Sequence, residues 1–285
     1  MDFEFLVRRA GKRVFLRKKT IELYVLCLKK FFVWACKDPK RVTKKDVKAF
    51  LEFLAEKDYS VSTLNVYACA LKFFFDEVLC KNLLLNLRRA KKPKCLPVVL
   101  TKDELKRLFE CVHNSKHTLI LKLLYGSGLR VGELVKLKVK DLELSQGFGW
   151  VRNGKGGKDR MFIIPKSLVT DIFEFVQKEC LAGFDFLFKG NKGRHYSIRS
   201  IQEILKSAAR NASISKNIHP HSLRHSFATH LVEDGCDVVT VQHLLGHSNL
   251  ETTRVYLHLG VPRIRVVSPL DSFQSKTLTN PALTS

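Results

Sequence analysis

Negative charge is scarce in this sequence. Its 285 residues hold 27 Asp and Glu against 50 Lys and Arg, a formal net charge of +23 and a pI near 9.8. A long apolar run is lacking as well. None approaches the ~18 to 20 residues of a membrane span, so no partner membrane is expected. The start, Met1-Asp2-Phe3-Glu4, lacks the basic-then-apolar order of a signal peptide, and the chain reads as cytoplasmic. The eight cysteines form no C-x-x-C and none has a His at finger spacing, which argues against structural zinc. Cys27, Cys36, Cys69 and Cys80 fall in apolar helical stretches and read as small buried hydrophobes in a reducing compartment.

What is present points to a folded partner of a polyanion. Apolar residues make up 45 %, too many for a disordered basic tail. The length suggests two domains at ~150 residues each, either long enough to bury a core. Residues 1–100 hold 23 Lys and Arg against 10 Asp and Glu, and residues 101–285 hold 27 against 17. A chain basic in both halves meets a polyanion along its length. Nucleic acid fits best; ribosomal contact, RNA binding and Lys enrichment for heat tolerance remain open on charge alone.

The first 87 residues read as a helical bundle. Helices are expected over 20–37, from the Thr43–Asp46 capping box through Leu54, and over 60–79, with a shorter one over 3–9. Leu71, Phe74 and Phe75 face inward in this pattern. Residues 88–97, with two prolines and five Lys or Arg, break every periodicity and read as a basic linker. Fully extended, ten residues reach roughly 30 Å, more than the ~12 Å width of a DNA major groove. Two basic domains on such a tether can grip a duplex from two sides.

A second domain spans 98–262. A capping box at Thr101–Glu104 opens one helix, and others follow over 118–125 and 130–137. Strands are expected at 149–152 and 160–164 around an Asn153–Lys158 turn. Helices return over 167–180, 199–211, 221–234, 238–246 and 250–258. The fold is thus mainly α with a small antiparallel β-sheet. The tail, 263–285, reads as coil that orders on a partner.

Three stretches carry candidate chemistry. Gly126-Ser-Gly-Leu-Arg130-Val-Gly-Glu133 follows a helix, so its glycines fit neither a dinucleotide nor a Walker loop. They turn the backbone sharply and present Arg130 at a helix start, with Glu133 beside it at i+3. The alternative is a plain surface pair. In His221-Ser-Leu-Arg224-His225, a helix sets His221 and Arg224 on one face, with Leu223, Phe227 and Leu231 as the buried stripe. A guanidinium fork matches phosphate oxygens, and a neighbouring His donates to them or moves a proton. The histidines lack the Glu of H-E-x-x-H, which argues against metal. In Leu244-Leu-Gly246-His247, Gly246 ends a helix and His247 sits in the bend. Tyr256 falls about two turns into the next helix, where a half-buried core tyrosine is the ordinary reading.

Arg130, Lys155, His221-x-x-Arg224, His247 and Tyr256, in that order, resemble the tyrosine site-specific recombinase (phage-integrase) family, closest to its Xer-type members. The resemblance covers nearly the whole chain. It implies a helical core-binding, DNA-binding domain over 1–87 and a catalytic tyrosine recombinase domain over 98–262. It implies an enzyme that cuts one DNA strand through Tyr256, leaving a 3′-phosphotyrosyl bond and a free 5′-hydroxyl. Arg130 and Arg224 would clamp the non-bridging oxygens. His221 and His247 would add hydrogen bonds, and His221 would help deprotonate Tyr256. Lys155, rather than its neighbour Lys158, would protonate the leaving oxygen, and Glu133 would orient Arg130. No metal, ATP or other cofactor is implied. The expected partners are a double-stranded DNA recombination site and three further copies, a homotetramer on DNA; a regulatory protein is left open. The expected role is Xer-like resolution of chromosome or plasmid dimers. The alternatives are an integrase or excisionase of a virus or mobile element, a type IB topoisomerase-like relaxing enzyme, and a non-catalytic DNA-binding protein.

Overall fold

The computed structural model describes residues 2–83, 97–152, 159–190, 193–246 and 267–271. The chain divides into two units, 1–95 and 96–285. Residues 84–96, which include most of the expected linker, lie outside the described residues.

The first unit is all helical. α1 (Phe3–Arg13) begins where the Asp2 carboxylate accepts from the amides of Glu4 and Phe5, and it runs past the expected end at Arg9. α2 (Lys18–Ala35) ends at Cys36, which turns left-handed with φ +47°. α3 (Lys44–Glu56) opens with the Thr43–Asp46 box: the Thr43 amide donates to Asp46 at 2.8 Å, and the Asp46 amide to the Thr43 hydroxyl at 3.4 Å. α4 (Val61–Lys72) passes into a wider π-helical turn over Phe73–Val78, where one continuous helix was expected. The change of pitch falls on Phe73-Phe74-Phe75, and it lets adjacent Phe74 and Phe75 both bury fully. They join Phe31 and Phe50 in an aromatic core of edge-to-face pairs, Phe31–Phe50 at 5.1 Å and Phe31–Phe75 at 5.9 Å.

The cysteine expectation needs correcting. Cys27 is buried, but Cys36 and Cys80 are exposed and Cys69 is partly so. Cys36 caps α2 and Cys80 follows the π turn with φ +52°, so both stand where the apolar stripe has run out.

The second unit wraps one core around a central helix. α5 (Lys102–Glu110) opens with the Thr101–Glu104 box. α6 (Ser115–Gly126) is capped by Asn114 and buries Leu119 to Leu121 and Leu123 to Tyr125, apolar nearly all round as a core helix must be. α7 (Val131–Leu134) is a single turn, shorter than the expected 130–137. Three short strands then form an antiparallel sheet: β1 (Leu142–Glu143), β2 (Phe148–Val151) and β3 (Arg160–Ile163). β1 was not foreseen, being two residues long. Register pairs Gly149 with Phe162 and Val151 with Arg160. α8 (Lys166–Lys178), α9 (Ile198–Asn211), α10 (Pro220–Glu233) and α11 (Val238–Leu245) complete the unit. The helix expected over 250–258 lies outside the described residues.

Part of the tail departs from its reading as coil awaiting a partner. Residues 267–271 pack on their own unit. Ser268 donates to the Gly126 carbonyl at 2.7 Å, and Leu270 is buried against Gly126, whose missing Cβ makes the room. Asp271 accepts from the Lys166 amide at 3.0 Å and from the Ser167 amide at 2.9 Å. Residue 165, at the start of α8, is a proline with no capping side chain. The cap is supplied from over a hundred residues away.

Candidate active site

Arg130 owes its position to the turn before it. Gly128 has φ +58°, and a Cβ there would sit 2.5 Å from the Phe227 ring, so the turn needs glycine twice over. The chain leaves that turn with Arg130 as the residue preceding α7. Glu133, one turn on, folds back on it. One carboxylate oxygen accepts from the Arg130 guanidinium at 2.7 Å, and the other from the Arg130 amide at 2.9 Å. That second oxygen also accepts from Arg160 of β3 at 2.6 Å. Burial opposes ionisation of Glu133, but the Arg160 charge and the hydrogen bonds hold its pKa below the usual range.

Arg224 lies deepest. α10 buries it to 5 % exposure beside Leu223 and Phe227, the stripe its sequence pattern predicts. Its guanidinium donates to the Gly128 carbonyl at 2.6 Å and to the Leu245 carbonyl. The two bonds join the Arg130 turn to the end of α11. Among the described residues no carboxylate pairs with Arg224. Burial, then the charges of Arg130 and Arg160, pushes its pKa down to about 9. A buried cation next to two others, with one carboxylate among the three, is a site short of negative charge.

His221 stands one turn before Arg224 on α10, at the surface. Burial of its ring, then the charges of His219, His225, Arg224 and Arg130, lowers its pKa. Its neutral form is therefore favoured at pH 7, leaving a ring nitrogen free to accept a proton. His230, on the same helix, has a different role: its Nδ1 meets the Tyr125 hydroxyl at 2.9 Å inside the core.

The structure brings four of the candidate residues, Arg130, Glu133, His221 and Arg224, together around one turn. The family models match at the same place: the phage integrase family over residues 98–261 and the phage integrase N-terminal SAM-like domain over 7–84. The chain belongs to the phage integrase family. This integrase-family chain is 38 % identical over 253 residues to a tyrosine recombinase XerA of Pyrococcus furiosus, covering 87 % of its own length and 86 % of the relative's. A crystal structure of XerA recombinase aligns over 98 % of both chains at 30 % identity, with a TM-score of 0.51. A post-cleavage complex of XerH recombinase with a palindromic difH substrate aligns over 84 % of this chain and 76 % of that one, at 26 % identity and a TM-score of 0.68. The integrase-family chain is a tyrosine recombinase, an enzyme class that cuts and rejoins DNA strands.

Lys155, its rival Lys158, His247 and Tyr256 lie outside the described residues. The sequence reading missed Arg160. Its signal was a charged residue opening a strand whose following residues, Phe162 and Ile163, are core. The side chain is 11 % exposed and also donates to the Leu244 carbonyl at 2.6 Å.

Proposed function

We propose that the chain is a site-specific DNA recombinase of Xer type, which cuts and rejoins DNA through a 3′-phosphotyrosyl intermediate. The observation that carries this reading is the buried Arg224, held by two carbonyls beside Arg130 and short of negative charge. A scissile phosphate supplies that charge, and each guanidinium fork fits its non-bridging oxygens. The comparison with XerH in its DNA complex supports the same ligand.

In the reaction, the Tyr256 oxygen attacks phosphorus. The P–O5′ bond breaks as the P–O(Tyr) bond forms, so the number of phosphate ester bonds is unchanged and no ATP is consumed. Arg130 and Arg224 balance the charge that develops on the phosphorane. The Tyr256 phenol, with an ordinary pKa near 10, loses its proton as it attacks, and neutral His221 is the acceptor. Lys155 gives a proton to the leaving 5′ oxygen, and His247 adds a hydrogen bond to the phosphate. Glu133 holds the Arg130 fork in place. Exchange of two duplexes then needs four protomers, a homotetramer on DNA, and the product role is resolution of chromosome or plasmid dimers.

A nicked suicide duplex carrying a palindromic site from the same genome tests this. A covalent protein–DNA adduct should form, persist in EDTA and vanish in Tyr256→Phe. Arg224→Lys should cut at least ~10²-fold more slowly, because a point charge cannot replace the fork. An adduct that survives Tyr256→Phe overturns the nucleophile assignment. Near-wild-type cutting by Arg224→Lys overturns the clamp.

A further inference from the structure

Arg160 stands at a junction of three segments. It opens β3, five residues after Lys155 in the sequence and paired in register with Val151. One terminal nitrogen donates to Glu133, which in turn holds Arg130 through both its amide and its guanidinium. The other donates to the Leu244 carbonyl in the last turn of α11, three residues before His247. The stem of Arg160 runs against Gly246. A Cβ on Gly246 would lie 2.5 Å from Arg160 Cδ and 3.2 Å from Nε, so the glycine leaves the passage that this side chain occupies. Nε is buried with no hydrogen-bond partner among the described residues. Arg160 is thus tied up by a carboxylate and by the carbonyls of Leu244 and Met161, unlike Arg224, which meets carbonyls alone.

Resting on the recombinase reading, we propose that Arg160 is a positioning residue. It fixes Arg130 through Glu133 and fixes the end of α11 through Leu244, and so sets the spacing between two segments that flank the phosphate. A planar fork can hold both partners at once; an ammonium holds one. Misplacing a catalytic group by about 1 Å costs on the order of 10²-fold in rate.

The test uses the full chain and the nicked duplex. Arg160→Lys should cut about 10²-fold more slowly in a single turnover while its dissociation constant for the duplex stays within about threefold. Gly246→Ala should give the same split by displacing the Arg160 stem. Combining Arg160→Lys with Glu133→Gln should cost less than the product of the two single losses, because the two residues act through one connection. Hydrogen exchange gives a readout independent of cutting: in Arg160→Lys the amides of Leu245 and Gly246 should exchange faster while those of α6 keep their protection. Cutting within threefold of wild type overturns the positioning role, as does a loss matched by the fraction of chain unfolded. Wild-type chain that forms no adduct overturns the recombinase reading instead, and unchanged exchange at Leu245 and Gly246 then rejects the hold of Arg160 by itself.

Discussion

At the scale of single residues, environment separates side chains of the same type. Three histidines share α10. His221 and His225 reach the surface near Arg224, whereas His230 is buried against Tyr125. Burial lowers the His230 pKa, with the nearby Glu233 charge opposing and the Lys102 charge adding to the shift. Burial also raises the Tyr125 phenol, which keeps it a neutral donor to the ring. A histidine whose folded pKa lies below its unfolded value of 6.5 binds its proton more readily when unfolded. The stability it lends is therefore complete above pH 6.5 and is lost as pH falls from there through the folded pKa. His230→Asn keeps an acceptor near the place of Nδ1 but cannot titrate. Thermal unfolding of this variant should fall less steeply between pH 7 and 5 than that of wild type; parallel curves would assign the acid sensitivity elsewhere.

At the scale of elements, helix starts show how far local sequence reaches. The Thr43–Asp46 and Thr101–Glu104 boxes lie within four residues, and each starts its helix where the pattern says. Asp46 also pairs with Lys37, which, with the Thr43 bonds, holds its carboxyl down at about 2. α8 is different, because its cap comes from Asp271. Asp271→Ala should destabilise the chain by about 1 kcal/mol, seen as a lower midpoint in urea. A midpoint equal to wild type would mean that α8 does not depend on this remote carboxylate. Helix α7 shows the opposite limit: a helix was expected over 130–137, but the Arg130–Glu133 bracket closes a single turn and the chain then runs on toward β1.

At the scale of the whole molecule, charge divides into two kinds. Most of the Lys and Arg behind the +23 are suited to sequence-blind phosphate contacts. Affinity for duplex DNA should accordingly fall roughly 10³-fold or more between 50 and 200 mM salt, as for six or more phosphate contacts. A shallow salt slope in a fluorescence titration would contradict this. On the proposed reading, Arg130 and Arg224 are of the other kind, reserved for the scissile phosphate. Arg224→Lys keeps the positive charge, so it should leave that slope nearly unchanged while slowing the cut. Among the described residues no helix is long and apolar enough to cross a membrane.

The sequence by itself determined the helical bundle, the β2–β3 hairpin, and the local pairs Arg130–Glu133 and His221–Arg224. Each of those signals is local: a capping box, a glycine turn, or an i, i+3 pair repeats its geometry wherever the chain adopts it. Tertiary structure alone decided the rest. The Arg160 bridge joins residues 133, 160 and 244, the Asp271 cap reaches back to α8, and Gly128 and Gly246 make room for Phe227 and Arg160. Hydrogen bonds and close contacts between distant segments carry no periodicity along the chain, so nothing in the sequence pattern announces them until the fold brings the partners together.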